Sequence, residues 1–470
     1  MVGIRRKIFI SQLIGRDLSL SSAYLERLRL NFEEVEPPLS AQEAFEEASR
    51  CLYCYDAPCI TACPTGIDIP SFIKKVTTDN LLGSARTIME ANPVGASCAR
   101  VCPTDELCEG ACVLNESTKP ILIGKLQRYA TDWAMQNEKV LFKAGQSKGK
   151  SVAIVGSGPA GLSAARELAV MGYDVTIYEA EEEAGGLNTY GIVSFRLPKQ
   201  VSFWEVEQVK SVGVTIHTNT RVGVDIGFDK LRQKYDAVIL AIGMSNVPLL
   251  HIDGEDLEGV YDAIEFVKAT KDGQLSQQFI GKRGVVIGAG NTAIDGATCA
   301  VRLGADNVKI LYRRTVAEMT AYDFEYEFAK QDGVEFRWLT SPTKIIGDEK
   351  GRVKSIECVE MELTEPDLDG RRKTRQTNRS FSLNVDFVIR AIGQSRYTWL
   401  DQAGIETNHG VIKVNPETLE TSVSGIFACG DVIFGHGQGE AMVVSAAEQG
   451  KQTAYSVHQK LLGQRTETSA

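Results

Sequence analysis

Cations are in the minority in this chain, 51 Lys and Arg against 61 Asp and Glu over 470 residues. That balance excludes the basic face a nucleic-acid partner needs. No stretch approaches the roughly 20 consecutive apolar residues required to cross a bilayer, and the opening MVGIRRKIF lacks the apolar core and small-residue cleavage site of a secretory signal. The five histidines, His217, His251, His409, His436 and His458, are scattered, and none is assigned a catalytic role. The expected location is therefore the cytoplasm, with neither nucleic acid nor membrane as a partner. Thiols stay reduced there.

That compartment gives meaning to what is abundant. Eight of the 11 cysteines fall between Cys51 and Cys112, as Cys51-x2-Cys54-x4-Cys59-x3-Cys63-Pro64, Cys98-x3-Cys102-Pro103 and Cys108-x3-Cys112. In a reducing setting such a field binds metal or does redox chemistry. Thiolates suit zinc or iron–sulfur clusters. The spacing follows the ferredoxin run in which three close cysteines hold one cluster and the fourth, before Pro, serves the other. Cys51, Cys54 and Cys59 then hold a first cluster with Cys112 returning to it, while Cys63, Cys102 and Cys108 hold a second. The second set is one ligand short, and spacing nominates Cys98. A structural zinc module, and with it a metal-binding interaction scaffold, is the competing reading. Cys299, Cys358 and Cys429 read as buried small hydrophobes.

The first third is helical in pattern. Ser40 and Glu43 have capping-box spacing, Asp68 with Pro70 opens a second helix, and a third, about 81–91, stops before Asn92-Pro93. The apolar pattern fades over 136–150, the candidate linker. Beyond it, short apolar strands alternate with glycine-rich turns and helical stretches, the texture of parallel sheets with crossover helices.

A strand–glycine–helix opening occurs twice. In VAIVGSGPAGLSAA, Gly156 permits a tight turn, Gly158 a close backbone approach to pyrophosphate, and Gly161 close helix–strand packing. The second strand ends in Glu179, a carboxylate placed to accept from ribose hydroxyls. Gly185 and Gly186 would let backbone pass near a large cofactor. Downstream, GIFACGD brings Gly430 and Asp431 to a strand end, similar to the acid that binds the ribityl or pyrophosphate part of the flavin in two-dinucleotide flavoproteins; the helix expected near Gly439 to Ala441 would face the flavin's polar edge. This set reads as an FAD site. In VVIGAGNTAID, Gly288, Gly290 and Ala293 repeat the turn with Asn291 and Thr292 opening the helix, and the second strand ends in Arg313-Arg314 instead of an acid. Guanidinium groups there favour a ribose 2′-phosphate, hence NADPH over NADH.

The expected fold is an α/β two-dinucleotide-binding flavoprotein, with Rossmann-like FAD and NADPH domains and an N-terminal α-helical iron–sulfur domain. Expected boundaries are 1–148 for the helical domain with two 4Fe-4S clusters, 149–280 with 395–470 for FAD, and 281–394 for NADPH. A disulfide reductase shares this architecture but needs paired cysteines beside the flavin, and no CxxC or CxxxxC follows Cys112.

CLYCYDAPCITACPTGIDIPSFI, GASCARVCPTDELCEGACVL and IGKLQRYATDW, taken with the two glycine motifs, resemble the N-terminal flavoprotein half of dihydropyrimidine dehydrogenase, which exists also as a separate bacterial subunit. The broader group includes the small subunit of glutamate synthase. The likeness runs from about Ala41 to Leu462. It implies that Gln127, in the IGKLQ segment, completes the second cluster in place of Cys98. It also implies hydride transfer from NADPH to FAD, then release of single electrons through the clusters to a partner subunit. That partner would be a flavin-mononucleotide barrel that reduces uracil or thymine, since the chain stops at Ala470 without such a barrel, or else the large subunit of glutamate synthase.

Overall fold

The strand Ser151–Val155 lies at the centre of a five-stranded parallel sheet that runs, edge to edge, Ile426–Ala428, Ala237–Leu240, Ser151–Val155, Asp174–Tyr178, Thr215–His217. The computed structural model describes residues 22–467 apart from 245–246, 274–277, 367–371, 395–399, 401–402, 409 and 435–440. A second five-stranded parallel sheet runs Val260–Asp262, Phe387–Arg390, Arg283–Ile287, Asn307–Leu311, Glu335–Arg337. Both place the glycine-turn strand inside the sheet, as doubly wound folds do. Between Glu335–Arg337 and Phe387–Arg390 the chain adds an antiparallel three-stranded sheet, ordered Arg372–Asn384, Val353–Pro366, Thr340–Gly347. The parallel-strand pattern gave no notice of it.

The described residues divide into two units, one within 36–189, 196–244 and 400–467, the other within 22–35, 190–195 and 247–394. The helical cysteine region and the first sheet thus form one body. The helices are capped as their sequence indicates. Glu43 N–H donates to Ser40 Oγ (3.3 Å) while Glu43 Oε2 accepts from Ser40 N–H (2.8 Å), and Asp68 caps Ile69–Thr77 through Ser71 N–H (3.1 Å). The residues expected to form a linker are tied down instead. Leu141 N–H donates to Gln208 Oε1 (3.0 Å), Gln208 Nε2 donates to the Lys139 carbonyl (2.9 Å), and Gly145 and Lys148 N–H reach the carbonyls of Ala169 and Gly172.

Two expected boundaries are corrected. The described residues of 247–280 belong with the second sheet: Val260–Asp262 pairs with Phe387–Arg390, Asp262 caps Ala263–Lys271, and Phe266 and Phe279 pack edge-to-face with one another, Phe279 also against Phe387. Residues 22–35 also join that unit, where Arg302 clamps Asp332 bidentately and donates to the Asn31 carbonyl. Charge-assisted and aromatic anchors of this kind do not show in local periodicity. Among the described residues no helix is long and apolar enough to cross a membrane.

Candidate functional site

In the first unit the strand Ser151–Val155 hands over to the helix Pro159–Val170 through Gly156, whose φ is +97°. A Cβ there would lie 2.3 Å from the Ala241 carbonyl oxygen, and one at Gly161 would lie 2.1 Å from the Gly156 carbonyl oxygen. Glycine is required at both by packing within the protein. Gly158 is different: the nearest atom to an added Cβ is 4.0 Å away, at Gly186 Cα. Its bareness leaves a cradle at the helix N-terminus, where free N–H groups face an anion.

Glu179 is buried at the end of its strand. Its Oε2 accepts from Ser157 N–H (2.9 Å) and Ser157 Oγ (2.5 Å), and its Oε1 from Glu181 N–H (2.8 Å). Ser157 Oγ in turn accepts from Gly185 N–H (3.0 Å), which links the glycine turn, the acid and the Gly185-Gly186 loop. Ser157, an unassigned position of the motif, organises this corner. A carboxylate has about four acceptor sites, so Glu179 retains capacity for a ribose hydroxyl.

Gly430, with φ +77°, donates its N–H to Gln449 Oε1 (2.8 Å) beside half-buried Asp431, whose carboxyl is pushed up by burial. The C-terminal helix is Val443–Glu467, so it starts two residues after Ala441, which is exposed. Gly439 and His436 lie outside the described residues. Gly450, inside that helix, would place a Cβ 2.1 Å from the Ala160 carbonyl oxygen. A helix-interior glycine was the signal for this close crossing.

In the second unit Gly288 has φ +126°, and an added Cβ would lie 2.1 Å from the Ala391 carbonyl oxygen. The two turns are thus pressed against equivalent residues, Ala241 and Ala391, of the two Ala-Ile-Gly segments. Gly290 caps the helix Asn291–Arg302, with Asn291 and Thr292 in its first turn and Ala293 fully buried. Asn291 Oδ1 is buried with no hydrogen-bond partner among the described residues, a polar atom waiting for a ligand. Arg313 is exposed and Arg314 half-buried at the end of Asn307–Leu311, and Arg314 Nε is likewise unpartnered.

The cysteines gather in two groups. Cys51, Cys54, Cys59 and Cys112 line one open hollow, walled by Ile69, Ile73, Ile121 and Ile123. Burial pushes the Cys59 thiol up to about 11, with repulsion from Cys51 and Cys112 adding to it; burial raises Cys51 too, followed by its proximity to Cys54 and Cys112. Cys102 is raised by a hydrogen bond with Cys98, by burial, and by Cys98, Cys108 and Cys63. Cys108 is raised by burial, then by Glu109 and Cys63. Thiols that hold one another protonated are a donor set for a cationic centre, whose charge reverses the repulsion. Among the described residues no three His, Cys, Asp or Glu side chains converge on a single-ion site. Ligands of a four-iron cluster surround a volume instead of a point, so the hollow fits the cluster.

Gln127 is buried, and its Nε2 donates to the Gly95 carbonyl (2.7 Å), which leaves Oε1 without a hydrogen-bond partner among the described residues. Cys98 is buried in the apolar core of the first unit with Val94 and Leu162, and Cys102 packs against the same core. The Gly95–Val101 helix is fixed there: Ser97 N–H and Oγ donate to the two carboxylate oxygens of Glu205 at 2.7 and 2.5 Å. Arg166 donates to the Glu90 carbonyl (2.7 Å), and Lys451 to those of Ala91 (2.7 Å) and Thr65 (3.2 Å).

Two glycine-turn sheets and a thiol-rich helical layer define a pyridine-nucleotide oxidoreductase with an iron–sulfur domain. The comparisons agree. Residues 28–139 match the model for dihydropyrimidine dehydrogenase domain II, 4Fe-4S cluster, and 150–450 match that for pyridine nucleotide-disulphide oxidoreductase. The chain belongs to the latter family, in the branch that its sequence resembles. It is 34% identical to the NAD-dependent dihydropyrimidine dehydrogenase subunit PreT of Salmonella typhimurium, over 91% of this chain and 97% of that one. It is 33% identical to the glutamate synthase [NADPH] small chain of Escherichia coli, over 91% and 93%. Against the NADP(+)-dependent formate dehydrogenase subunit beta of Moorella thermoacetica it is 39% identical over 86% of this chain, and it spans 60% of that relative's length. Among solved structures, FprA of Mycobacterium tuberculosis shares the fold with a TM-score of 0.57 at 22% identity, over 68% of this chain and 86% of that one. Beyond Cys112 the cysteines are Cys299, Cys358 and Cys429, all buried and none in a disulfide.

Proposed function

We propose that this chain is the electron-input subunit of a dihydropyrimidine dehydrogenase-like complex. It would take hydride from NADPH onto FAD and pass single electrons through two 4Fe-4S clusters to a partner that reduces uracil or thymine. The observation that carries the reading is the union of both thiol groups with the Gly156 turn in one unit, fixed by the buried Ser97–Glu205 contact. A fixed separation between flavin and cluster is what electron relay needs. Bound FAD supplies the exchange between a two-electron donor and one-electron carriers.

Within that reading, the Gly158–Gly186 cradle holds the FAD pyrophosphate, Glu179 its ribose and Asp431 its ribityl side. Arg313 and Arg314 hold the 2′-phosphate of NADPH, with Asn291 and Thr292 on its pyrophosphate. Cys51, Cys54, Cys59 and Cys112 ligate one cluster; Cys63, Cys102, Cys108 and Gln127 ligate the other, which lies on the side of the FAD sheet because Cys102 packs against that core. The relatives' names divide between NAD and NADP, and the arginine pair favours NADPH here. Their names also divide by customer, so a glutamate synthase large subunit is the second reading, and a formate-oxidising partner would run the same relay in reverse.

Anaerobic visible spectroscopy during titration with NADPH and NADH, with iron and sulfide assayed on the same sample, tests the proposal. Flavin bleaching favoured by NADPH and about eight irons per chain, as two four-iron clusters require, are expected. Zinc in place of iron, or no bleaching, would refute it. Uracil-reducing and glutamate-forming assays with candidate partners then separate the customers.

A further inference from the structure

We propose that Glu318 is a positioning residue for nucleotide choice: it fixes the loop that presents Arg313 and Arg314, and through it the affinity for a 2′-phosphorylated adenosine. The inference rests on the NADPH reading above. On one side the loop is tied to its neighbouring strands. Tyr312 N–H donates to the Arg337 carbonyl (3.1 Å), Thr340 N–H to that of Tyr312 (2.9 Å), and Leu339 N–H to that of Arg314 (3.0 Å). On the other side Glu318 closes it. Its Oε2 accepts from Thr315 N–H (3.0 Å) and Thr315 Oγ1 (2.6 Å), and its backbone carbonyl accepts from Tyr312 Oη (2.7 Å).

This is a capping box directly after the arginine pair, with Thr315 as cap and Glu318 three residues on. The chain then returns to the nucleotide turn: Thr320 and Ala321 N–H both reach the Ala289 carbonyl, at 3.3 and 3.2 Å. The Glu318 carboxylate is therefore occupied by Thr315, and both guanidinium groups are left without an ion pair among the described residues, Arg314 Nε being buried as well. Two cations at fixed backbone positions can meet a dianionic phosphate without first ordering the loop. With the cap gone, that ordering is lost, and the freed arginines can fold onto local acids.

Calorimetric binding of adenosine 2′,5′-bisphosphate and of 5′-AMP to the holoenzyme reads this without turnover. Glu318→Ala is expected to weaken the bisphosphate about five-fold, the order of one lost cap, and to leave 5′-AMP unchanged. Glu318→Gln, which keeps an acceptor for Thr315, should restore wild-type affinity. In turnover, Glu318→Ala should raise KM for NADPH with kcat unchanged. Equal weakening of both ligands, or no weakening, overturns the inference. Arg314→Ala separates the two levels: if it abolishes the bisphosphate preference and Glu318→Ala does not, Glu318 alone is misassigned. If the wild type shows no preference at all, the NADPH reading falls with it.

Discussion

Glu205 is fully buried against the cysteine-bearing helix, and burial pushes its carboxyl from 4.5 up to about 7, against the opposing pull of the Ser97 hydrogen bonds and Arg100. A carboxyl whose native pKa is raised supports the fold most below its unfolded value and loses that support as pH climbs toward 7. The difference of 4.5 to about 7, at about 1.4 kcal/mol per pH unit, makes the ionised side chain cost about 3 kcal/mol above pH 7. Glu205→Gln has the same shape, still accepts from Ser97 and never ionises. Its stability relative to wild type should therefore rise by about 2 kcal/mol between pH 5 and pH 8, most of it before pH 7. Urea unfolding of FAD-saturated protein, followed by flavin fluorescence across that range, measures the difference directly. A flat difference would mean that Glu205 is ionised at ordinary pH in the native state and that the nearby cations outweigh its burial. A difference that falls with pH would refute the burial argument altogether.

Replacing Arg313 and Arg314 together by Ala should raise KM for NADPH by about ten-fold or more, the scale of lost charge-assisted pairs, with KM for NADH nearly unchanged; steady-state kinetics with both nucleotides decides it. Gly158→Ala has room within the protein, so it should fold normally yet purify with little flavin, read as the ratio of absorbance at visible and ultraviolet wavelengths. Retained flavin would place the pyrophosphate elsewhere. Cys98→Ala should keep a full iron complement while Gln127→Ala loses or alters one cluster, seen by iron assay and electron paramagnetic resonance of the reduced protein; the reverse result would restore Cys98 as the fourth ligand.

Much of this arrangement was legible because its chemistry is local. Gly156 and Gly288 are forced by the carbonyls of Ala241 and Ala391, and the Ala-Ile-Gly segments that supply those carbonyls repeat in the sequence. Helix caps at Ser40 and Asp68 were readable for the same reason. The cysteine groups were proposed from spacing; Cys51, Cys54, Cys59 and Cys112 line one hollow, and their ligation stays part of the proposal. What escaped depends on distant partners. The 136–150 stretch has a polar, linker-like composition, yet Leu141 and Gly145 find acceptors on the helix Lys199–Ser211 and at Ala169. Glu205 looks like an ordinary helical acid until Ser97, 108 positions earlier in the chain, is brought to it. The strand Val260–Asp262 is three residues long, too short to carry a period, and its placement depends on pairing with Phe387–Arg390.

On the proposed reading, the two turns also suggest how one fold could hold two nucleotides without confusion. Their strands, their positive-φ glycines and the Ala carbonyls behind them are equivalent, so the turn itself confers no choice. Choice sits one strand away. At Glu179 an acid is locked by Ser157, inside the turn, and a second negative charge on the ribose would meet it unscreened in a buried corner. At Arg313 and Arg314 the locking acid, Glu318, stands beyond the pair and is itself satisfied. The same device, a carboxylate bonded to a hydroxyl and a backbone N–H, would on the proposed reading face the ribose in one unit and stand away from it in the other. A single swap at the strand end would be a poor exchange of specificity: an acid at 313 or 314 would lack the partner that Ser157 provides, and an arginine at 179 would leave the hydroxyl and N–H of Ser157 without their acceptor.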